Sequence, residues 1–172
     1  EYWQYVLKQN VIRVPEGCPT MNQAMDLAVV FSERNECTWE NPVTIEVGEG
    51  EHVMVGVDVS FGNAGINTSG KFMHVNCSNM TIIGKGKDKT KILGGFYVNK
   101  QNIKIEHVSV TNLHGDPLFC TGIGESHVKE CSFGKNRDNG LCVEKGGSVT
   151  ATRCVFMGNG AIGVECDGVN SK

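Results

Sequence analysis

Three aspartates in the second half of the chain stand at related loop positions, Asp116, Asp138 and Asp167. Carboxylates that line up on one surface can bind calcium or the hydroxyl groups of a sugar. Aspartates are also common in turns, where their side chains accept hydrogen bonds from the backbone. The two intervals between the three aspartates are unequal, so they make only a loose acidic line. The turn interpretation is therefore favoured, and a calcium or sugar groove is the alternative.

A second set of residues forms columns of opposite charge, whose members recur at one constant interval. On neighbouring strands such residues lie about 4.8 Å apart, and a histidine, a glutamate and an arginine together could do acid–base chemistry. Exposed opposite charges across strands more commonly fix the register. Lys104 and His127 point outward from the same strands and could contact a ligand, although a solvated face is the favoured interpretation. The two columns are Glu106/Lys129/Thr152 and His107/Glu130/Arg153.

Other classes of site are not supported by the sequence. There is no closely spaced cysteine pair for zinc, and the nearest combination is Cys120 with His127. The basic stretch from Gly84 to Thr90 lacks the glycine spacing and the following helix of a phosphate loop. A net charge of −3 argues against a nucleic acid held by its phosphates, and no apolar run approaches the roughly 18 residues of a membrane span. We therefore predict no metal, cofactor, nucleic acid or membrane span.

These residues must be positioned by a repeating element, because apolar residues recur with a fixed period in this region. Three eight-residue segments, which start at Ile103, Ser126 and Val149, have apolar or small residues at their first, third, sixth and eighth places. Steps of two indicate strands, and the single step of three indicates a corner between two strands. Two short strands and a corner at a fixed period are typical of one coil of a parallel β-solenoid.

The repeat extends on both sides of these segments. Upstream, Asn79–Ile82 matches Asn102–Ile105, and we expect that earlier coil to be distorted by the turn at Gly84–Asp88. Residues 60–71 are rich in glycine, asparagine and serine and predict an irregular loop. Downstream, a third short strand is expected in each coil, with the last loop shorter by two residues: Leu118–Cys120, Leu141–Val143 and Ile162–Val164.

The first 42 residues are predicted to form a strand at Val11–Val14 and a capping helix. Thr20 and Gln23 form a capping box before an apolar run, and the helix should end near Glu33 or Arg34. Residues 43–172 then form the coils, in one domain with residues 1–42. The apolar helical face, which would cover the first coil, consists of Met21, Ala24, Met25, Ala28 and Phe31, and the aromatic lead before it contains Tyr2, Trp3 and Tyr5.

The chain has eight cysteines, which leave its redox state open. Cys131 and Cys154 fall in one inward column, where neighbouring strands are close enough for a disulfide. Cys18 and Cys37 bracket the helix and are the more favoured pair. Buried free cysteines also pack as small hydrophobes, so neither the pairing nor the compartment follows from the sequence.

The capped helix, the run Val43–His52 and the coils at Asn139–Val143 and Asn159–Val164 resemble the right-handed parallel β-helix superfamily to which the pectin lyases belong. The resemblance covers about residues 18–170. It implies an all-β, right-handed parallel β-helix with an N-terminal capping α-helix and a repeat of about 23 residues per coil, within the range of solenoid periods. Three further segments are similar to uncharacterised β-helix-repeat proteins of algae and large DNA viruses: Met80–Thr90, Gly94–Phe96 and Val149–Cys154.

The resemblance leaves the activity open, because the superfamily includes lyases, hydrolases, epimerases, adhesins and non-catalytic modules. The aspartate pair and Gly-His-Gly motif of its polygalacturonases are absent, and so is the set of aspartates and glutamine of its esterases. Asp116, which follows His114 and Gly115, is the closest approach. The sequence therefore favours a non-catalytic module over an enzyme.

We expect a structural or protein-interaction module, for example a subunit of a large assembly such as a virion. The alternative is a polysaccharide-active enzyme (lyase, hydrolase or epimerase) or a carbohydrate-binding domain. Only Cys166–Lys172 follows the last coil, so we expect its edge to be covered by more polypeptide or by another protein subunit. Protein subunits are the expected partners and carbohydrate is the alternative ligand.

Overall fold

The structure is a computed structural model that describes residues 10–63 and 66–172. Tyr2, Trp3 and Tyr5, the predicted aromatic lead, lie outside the described residues. In the part of the chain that is described, no helix is both long and apolar enough to cross a membrane. In chain order the elements are β1 (Val11–Val14), α1 (Met21–Asn35), β2 (Val43–Val47), β3 (Gly50–Val53), β4 (Val57–Asn63), β5 (Ile66–Val75), β6 (Met80–Ile83), β7 (Thr90–Leu93), β8 (Phe96–Val98), β9 (Ile103–Glu106), β10 (Ser109–Thr111), β11 (Leu118–Thr121), β12 (Glu125–Lys129), β13 (Ser132–Gly134), β14 (Cys142–Glu144), β15 (Ser148–Thr152), β16 (Val155–Met157) and β17 (Glu165–Asp167).

The strands form three sheets, and each full coil contributes one strand to each sheet. The first sheet has the order β1-β2-β6-β9-β12-β15, the second β3-β7-β10-β13-β16, and the third β4-β5-β8-β11-β14-β17. Neighbouring strands are parallel except for β4 and β5, which are antiparallel. The predicted solenoid is therefore confirmed.

The 23-residue register holds through the last coils in all three sheets. Ile105 lies opposite Val128, and Val128 opposite Ala151. In the third sheet Val143 lies opposite Cys166, so the predicted last strand at Ile162–Val164 is wrong. The loop before β17 is not shortened, because the Gly140 N–H donates to the Ile162 carbonyl at 2.9 Å and keeps the two coils aligned.

The core is a set of inward columns that run along the axis of the coils. The second-sheet column contains Val110, Phe133 and Phe156, and the rings of the two phenylalanines stack with centroids 5.5 Å apart. Ser126 stands among apolar residues of the first sheet, and its buried hydroxyl has no hydrogen-bond partner among the described residues. In the last coil the same columns are incompletely covered, and Ala151 is exposed.

The predicted step of three is a left-handed corner between the first and second sheets. Its residues His107, Glu130 and Arg153 have φ values of 56°, 52° and 52°. In the coil that contains β6 and β7 the corner is longer, as expected from the Gly84–Asp88 turn. The first inward-pointing residue after this corner is Thr90, which is buried. The Thr90 hydroxyl donates to the Gly48 carbonyl at 3.0 Å, which satisfies it inside the core.

Helix α1 covers the first coil, as predicted. The Thr20 hydroxyl caps it by accepting a hydrogen bond from the Gln23 N–H at 3.2 Å, and Glu36 ends it with a left-handed φ of 46°. The helix packs against β1 and β2. Asn22 attaches its first turn to the coil through two hydrogen bonds with the Val55 backbone, of 2.9 and 3.0 Å. All five residues of the predicted apolar face are buried.

The prediction of an irregular loop at residues 60–71 is wrong. The stretch belongs to the antiparallel pair β4 and β5, whose register runs from Val57 opposite Phe72 to Asn63 opposite Ile66. Backbone pairing holds these strands together despite residue types that disfavour strands. The antiparallel pair is also continuous with the repeat, because the last residues of β5 pair with β8 in the third sheet.

The eight cysteines are free thiols, so neither pair considered from the sequence is bonded. Cys131 and Cys154 lie in adjacent coils, and each donates to a backbone carbonyl, at 3.3 Å to Ile105 and 3.5 Å to Val128. The neighbouring Cys154 thiol and burial both raise the pKa of the Cys131 thiol. The pair therefore packs within the core as small side chains with satisfied donors.

Truncation of the central aromatic residue tests the register of the core. Phe133 is fully buried, so Phe133→Ala should lower the free energy of unfolding by about 3–5 kcal/mol in urea denaturation. Met157 lies on the next strand of the same sheet and is 69% exposed, so Met157→Ala is the matched control; it should change stability by less than about 0.5 kcal/mol. Equal effects of the two substitutions would show that the register is wrong.

Candidate functional site

The three aspartates singled out by the sequence are each held by a local contact. Asp116 is 7% exposed, and its Oδ1 accepts a hydrogen bond from the Asn139 N–H at 2.6 Å. Asp138 forms an ion pair of 2.7 Å with Arg137. Asp167 is exposed on β17, and its Oδ1 accepts from the following backbone N–H at 2.7 Å. Asp116 and Asp138 are close enough to interact electrostatically, whereas Asp167 lies opposite Glu144 in the third sheet.

Asp116 is the most perturbed of these carboxyls. Burial raises its pKa to about 7, the hydrogen bond from Asn139 opposes this shift, and the negative charges of Asp138 and Glu165 add to it. One coil later, the equivalent place is taken by Asn139, whose Oδ1 accepts from the Ile162 N–H at 3.3 Å. The Asp116 carboxyl thus supports the backbone of the next coil in the way that an asparagine does.

The other two predicted residues, Lys104 and His127, come together on the outer surface of the first sheet. They lie opposite each other on β9 and β12, and both contact Trp39. The Lys104 Nζ lies 3.9 Å from the centroid of the Trp39 ring. The His127 ring meets it edge-on at 5.5 Å, and the His127 Nε2 is 3.0 Å from a carboxylate oxygen of Glu125. We call Trp39, Lys104, Glu125 and His127 the Trp39 face.

A short turn between α1 and β2 places Trp39 over the sheet. The Thr38 N–H donates to the Asn41 carbonyl, and the Thr38 hydroxyl accepts from the Asn41 N–H, both at 3.2 Å. The indole remains 40% exposed, and the contact with Lys104 is of a kind worth about 0.5–1 kcal/mol at an exposed site. Trp39 was not predicted as a site residue, because a loop residue outside the repeat has no register that predicts its neighbours.

The Trp39 face has the chemical groups of a recognition surface. An exposed indole can stack on the apolar face of a sugar ring or anchor a protein partner. The lysine, histidine and glutamate around it can donate and accept hydrogen bonds. Among the described residues, no group of three or more histidine, cysteine, aspartate or glutamate side chains is arranged to hold a metal ion.

No family model matches the chain, and neither does any curated protein. Among solved structures, the fold is similar to the crystal structure of a pectin methylesterase mutant in complex with a hexasaccharide. The TM-score is 0.58 over 81% of this chain, which spans 45% of the length of that chain, and the sequences are 11% identical. The fold is the right-handed parallel β-helix. At this identity the likeness shows the fold alone.

In this β-helix the predicted column His107/Glu130/Arg153 is a ladder of contacts along the corner. In the other predicted column, Glu106 and Lys129 are register partners but form no ion pair within 4.0 Å among the described residues. The His107 Nδ1 lies 3.0 Å from a Glu130 carboxylate oxygen, and the Arg153 Nε donates to the other oxygen at 3.0 Å. The hydrogen bond from Arg153 lowers the pKa of Glu130. The side chains of all three are at least one-third exposed. Exposed ion pairs contribute little to the free energy of folding, but opposite charges on neighbouring strands favour one register. The contacts therefore support the register-fixing interpretation of this column.

Because its pKa is raised, Asp116 should make the folded β-helix less stable as the pH rises. Its pKa is about 7 in the folded protein and about 3.9 in an unfolded chain. Between these values the folded state holds a proton that the unfolded state has lost, so this carboxyl makes stability fall as pH rises. Asp116→Asn keeps an oxygen for the Asn139 N–H and removes the titration. We expect it to match the wild type near pH 4 and to be more stable near pH 8, by on the order of 1–3 kcal/mol.

Urea denaturation at the two pH values measures this difference, and Asp88→Asn is the control because Asp88 is an exposed aspartate in the turn before β7. The control should leave the pH dependence of the wild type unchanged. An Asp116→Asn variant with the same pH dependence as the wild type would contradict the assignment.

Proposed function

We propose that this chain is a non-catalytic structural or protein-interaction module that binds other protein subunits within a larger assembly. The observation that carries the proposal is the open edge of the last coil. Strands β15, β16 and β17 are the outermost strands of their sheets, and the inward residues Val149, Cys154 and Phe156 are only partly covered. The Val149 N–H already donates to the Lys172 carbonyl at 2.8 Å. Where the edge strands have no such partner, their backbone groups and partly covered apolar residues can pair with a strand of a second subunit.

The positions of Asp116 and Asp138 also support a non-catalytic role. A glycoside hydrolase needs two carboxyls that face the substrate, about 5–9.5 Å apart. Asp116 is instead buried against the next coil, and Asp138 is paired with Arg137. The resemblance of several segments to β-helix-repeat proteins of algae and large DNA viruses is consistent with a component of a large assembly such as a virion.

Self-association of the 172-residue chain tests the open edge. We expect the wild-type chain to form oligomers as its concentration rises, measured by light scattering. Ala151 points inward on β15, opposite Val128, so Ala151→Lys places a charge at the edge, where inward-pointing charges oppose strand addition. Thr150→Lys adds the same charge on the outer side of the same strand and is the matched control. Ala151→Lys should reduce self-association, whereas Thr150→Lys should leave it unchanged. A monomeric wild-type chain at high concentration would contradict the prediction.

Carbohydrate binding is a second candidate function, and the Trp39 face favours it. One solved structure with a similar fold is a pectin methylesterase mutant in complex with a hexasaccharide. That ligand belongs to that protein, and the support from this chain is its own exposed indole bordered by Lys104, Glu125 and His127. Aromatic rings flanked by polar groups suit sugars, because each ring of a sugar has an apolar face and a rim of hydroxyls.

Calorimetry with a panel of pectic oligosaccharides tests this second function. Trp39→Ala should weaken binding at least about tenfold, or 1.4 kcal/mol, whereas Trp39→Phe should retain most of it because a ring remains. Unchanged binding in Trp39→Ala would exclude this face as the sugar site. Turnover of pectin by the wild-type protein would contradict the proposal of a non-catalytic module.

A further inference from the structure

A cleft of about 360 Å³ opens where the loops after β3, β7 and β10 meet β5, away from the Trp39 face. Its walls include five apolar residues, Val53, Met54, Val55, Leu93 and Leu113. Three of these are well exposed, with 61% of Val53, 72% of Val55 and 67% of Leu113 accessible to water. Exposed apolar side chains that gather around one concave surface mark a binding site more often than scattered ones.

Two basic residues, Lys71 and His114, border the same cleft. The Lys71 N–H donates to the His114 carbonyl at 2.9 Å, so the two backbones are held together. Neither side chain forms an ion pair within 4.0 Å with any residue that the structure describes. Asp58 is the register partner of Lys71 on β4 but does not line the cleft. Lys71 thus brings to the lining of the cleft a positive charge that no described residue pairs with.

Asn112, which also lines the cleft, holds this arrangement in place. Its Nδ2 donates to the Lys71 carbonyl at 2.9 Å and to the Asp116 carbonyl at 2.7 Å. Its Oδ1 accepts from the His114 N–H at 3.0 Å. The amide nitrogen and oxygen of Asn112 both have hydrogen-bond partners, so this side chain holds the backbones of Lys71 and His114 in place. The contacts to a ligand are therefore expected from Lys71 and His114. The site is thus formed before any ligand binds, which lowers the entropic cost of binding.

We propose that this cleft binds a small amphiphile with an aliphatic body and one anionic group, of the kind represented by a medium-chain fatty acid. The volume lies at the lower end of the range for small-molecule sites, about 300–1,000 Å³, which excludes a folded partner from the cleft itself. The aliphatic body contacts Val53, Val55 and Leu113. The anionic group lies next to the Lys71 ammonium, where an opposite charge is favoured.

Calorimetry on the 172-residue chain with decanoate, decanol and decylamine, each below its micelle concentration, tests the proposal. These probes share one chain length and differ in the head group, which is anionic in decanoate, neutral in decanol and cationic in decylamine. Decanoate should bind about tenfold more tightly than decylamine, with decanol between them. Lys71→Met should weaken decanoate about tenfold and leave decanol unchanged. Lys91→Met is the matched control, because Lys91 is an exposed lysine outside the cleft, and it should change neither.

Two further variants keep the test decisive. Leu113→Ser should weaken all three probes, since it removes part of the apolar wall. Asp58→Asn removes the negative charge across from Lys71 and should strengthen decanoate binding, a gain that misfolding cannot produce. Equal affinity for decanoate and decylamine would overturn the proposal, as would an equal loss of all probes in Lys71→Met or no binding of decanoate at millimolar concentration.

Discussion

The structure depends on backbone pairing between successive coils, which requires each coil to return the chain to the same register. Because side chains alternate along a strand, a slip of one residue would turn every inward residue outward. The register is kept on both sides of the corner, as two inward columns show: Ile105/Val128/Ala151 before the corner and Val110/Phe133/Phe156 after it. The left-handed corner costs on the order of 1 kcal/mol or more at each non-glycine residue. Hydrogen bonds between the flanking strands of successive coils hold the backbone in this conformation.

Polar side chains inside the loops meet a second requirement of the same pairing. Loops that lie against each other bury backbone groups that need partners. The Asn112 N–H donates to the Asn136 Oδ1 at 2.7 Å, and the Asn79 Nδ2 donates to the Cys37 carbonyl at 2.9 Å. Asp116 has a similar role with a group that can ionise. Its raised pKa is therefore a consequence of a structural position, and a perturbed pKa alone does not identify a catalytic group.

The sequence predicted those parts of the fold in which side-chain pattern and backbone pairing agree. The 23-residue period, the corner and the apolar face of α1 follow from apolar spacing, and all three are confirmed. The β4 and β5 pair was missed because its residues suit a loop, whereas pairing of the backbone decides its structure. The last strand was misplaced because Ile162 and Val164 are apolar but exposed, with 52% and 48% accessible to water. At the edge of the core, an apolar residue does not necessarily point inward.

The candidate binding surfaces arise where the chain departs from the repeat. Within a repeating coil, outward residues such as Lys104 and His127 can vary without changing the register, but alone they form a flat surface. Trp39 comes from the loop before the first full coil, and Lys71 comes from the antiparallel pair of β4 and β5. Each adds a side chain that the repeat itself could not place. The regular coils thus supply rigidity and an array of positions, while irregular segments supply the concave and aromatic features that recognise a ligand. Substitutions in the repeat should therefore act mainly on stability, and substitutions in the irregular segments mainly on binding.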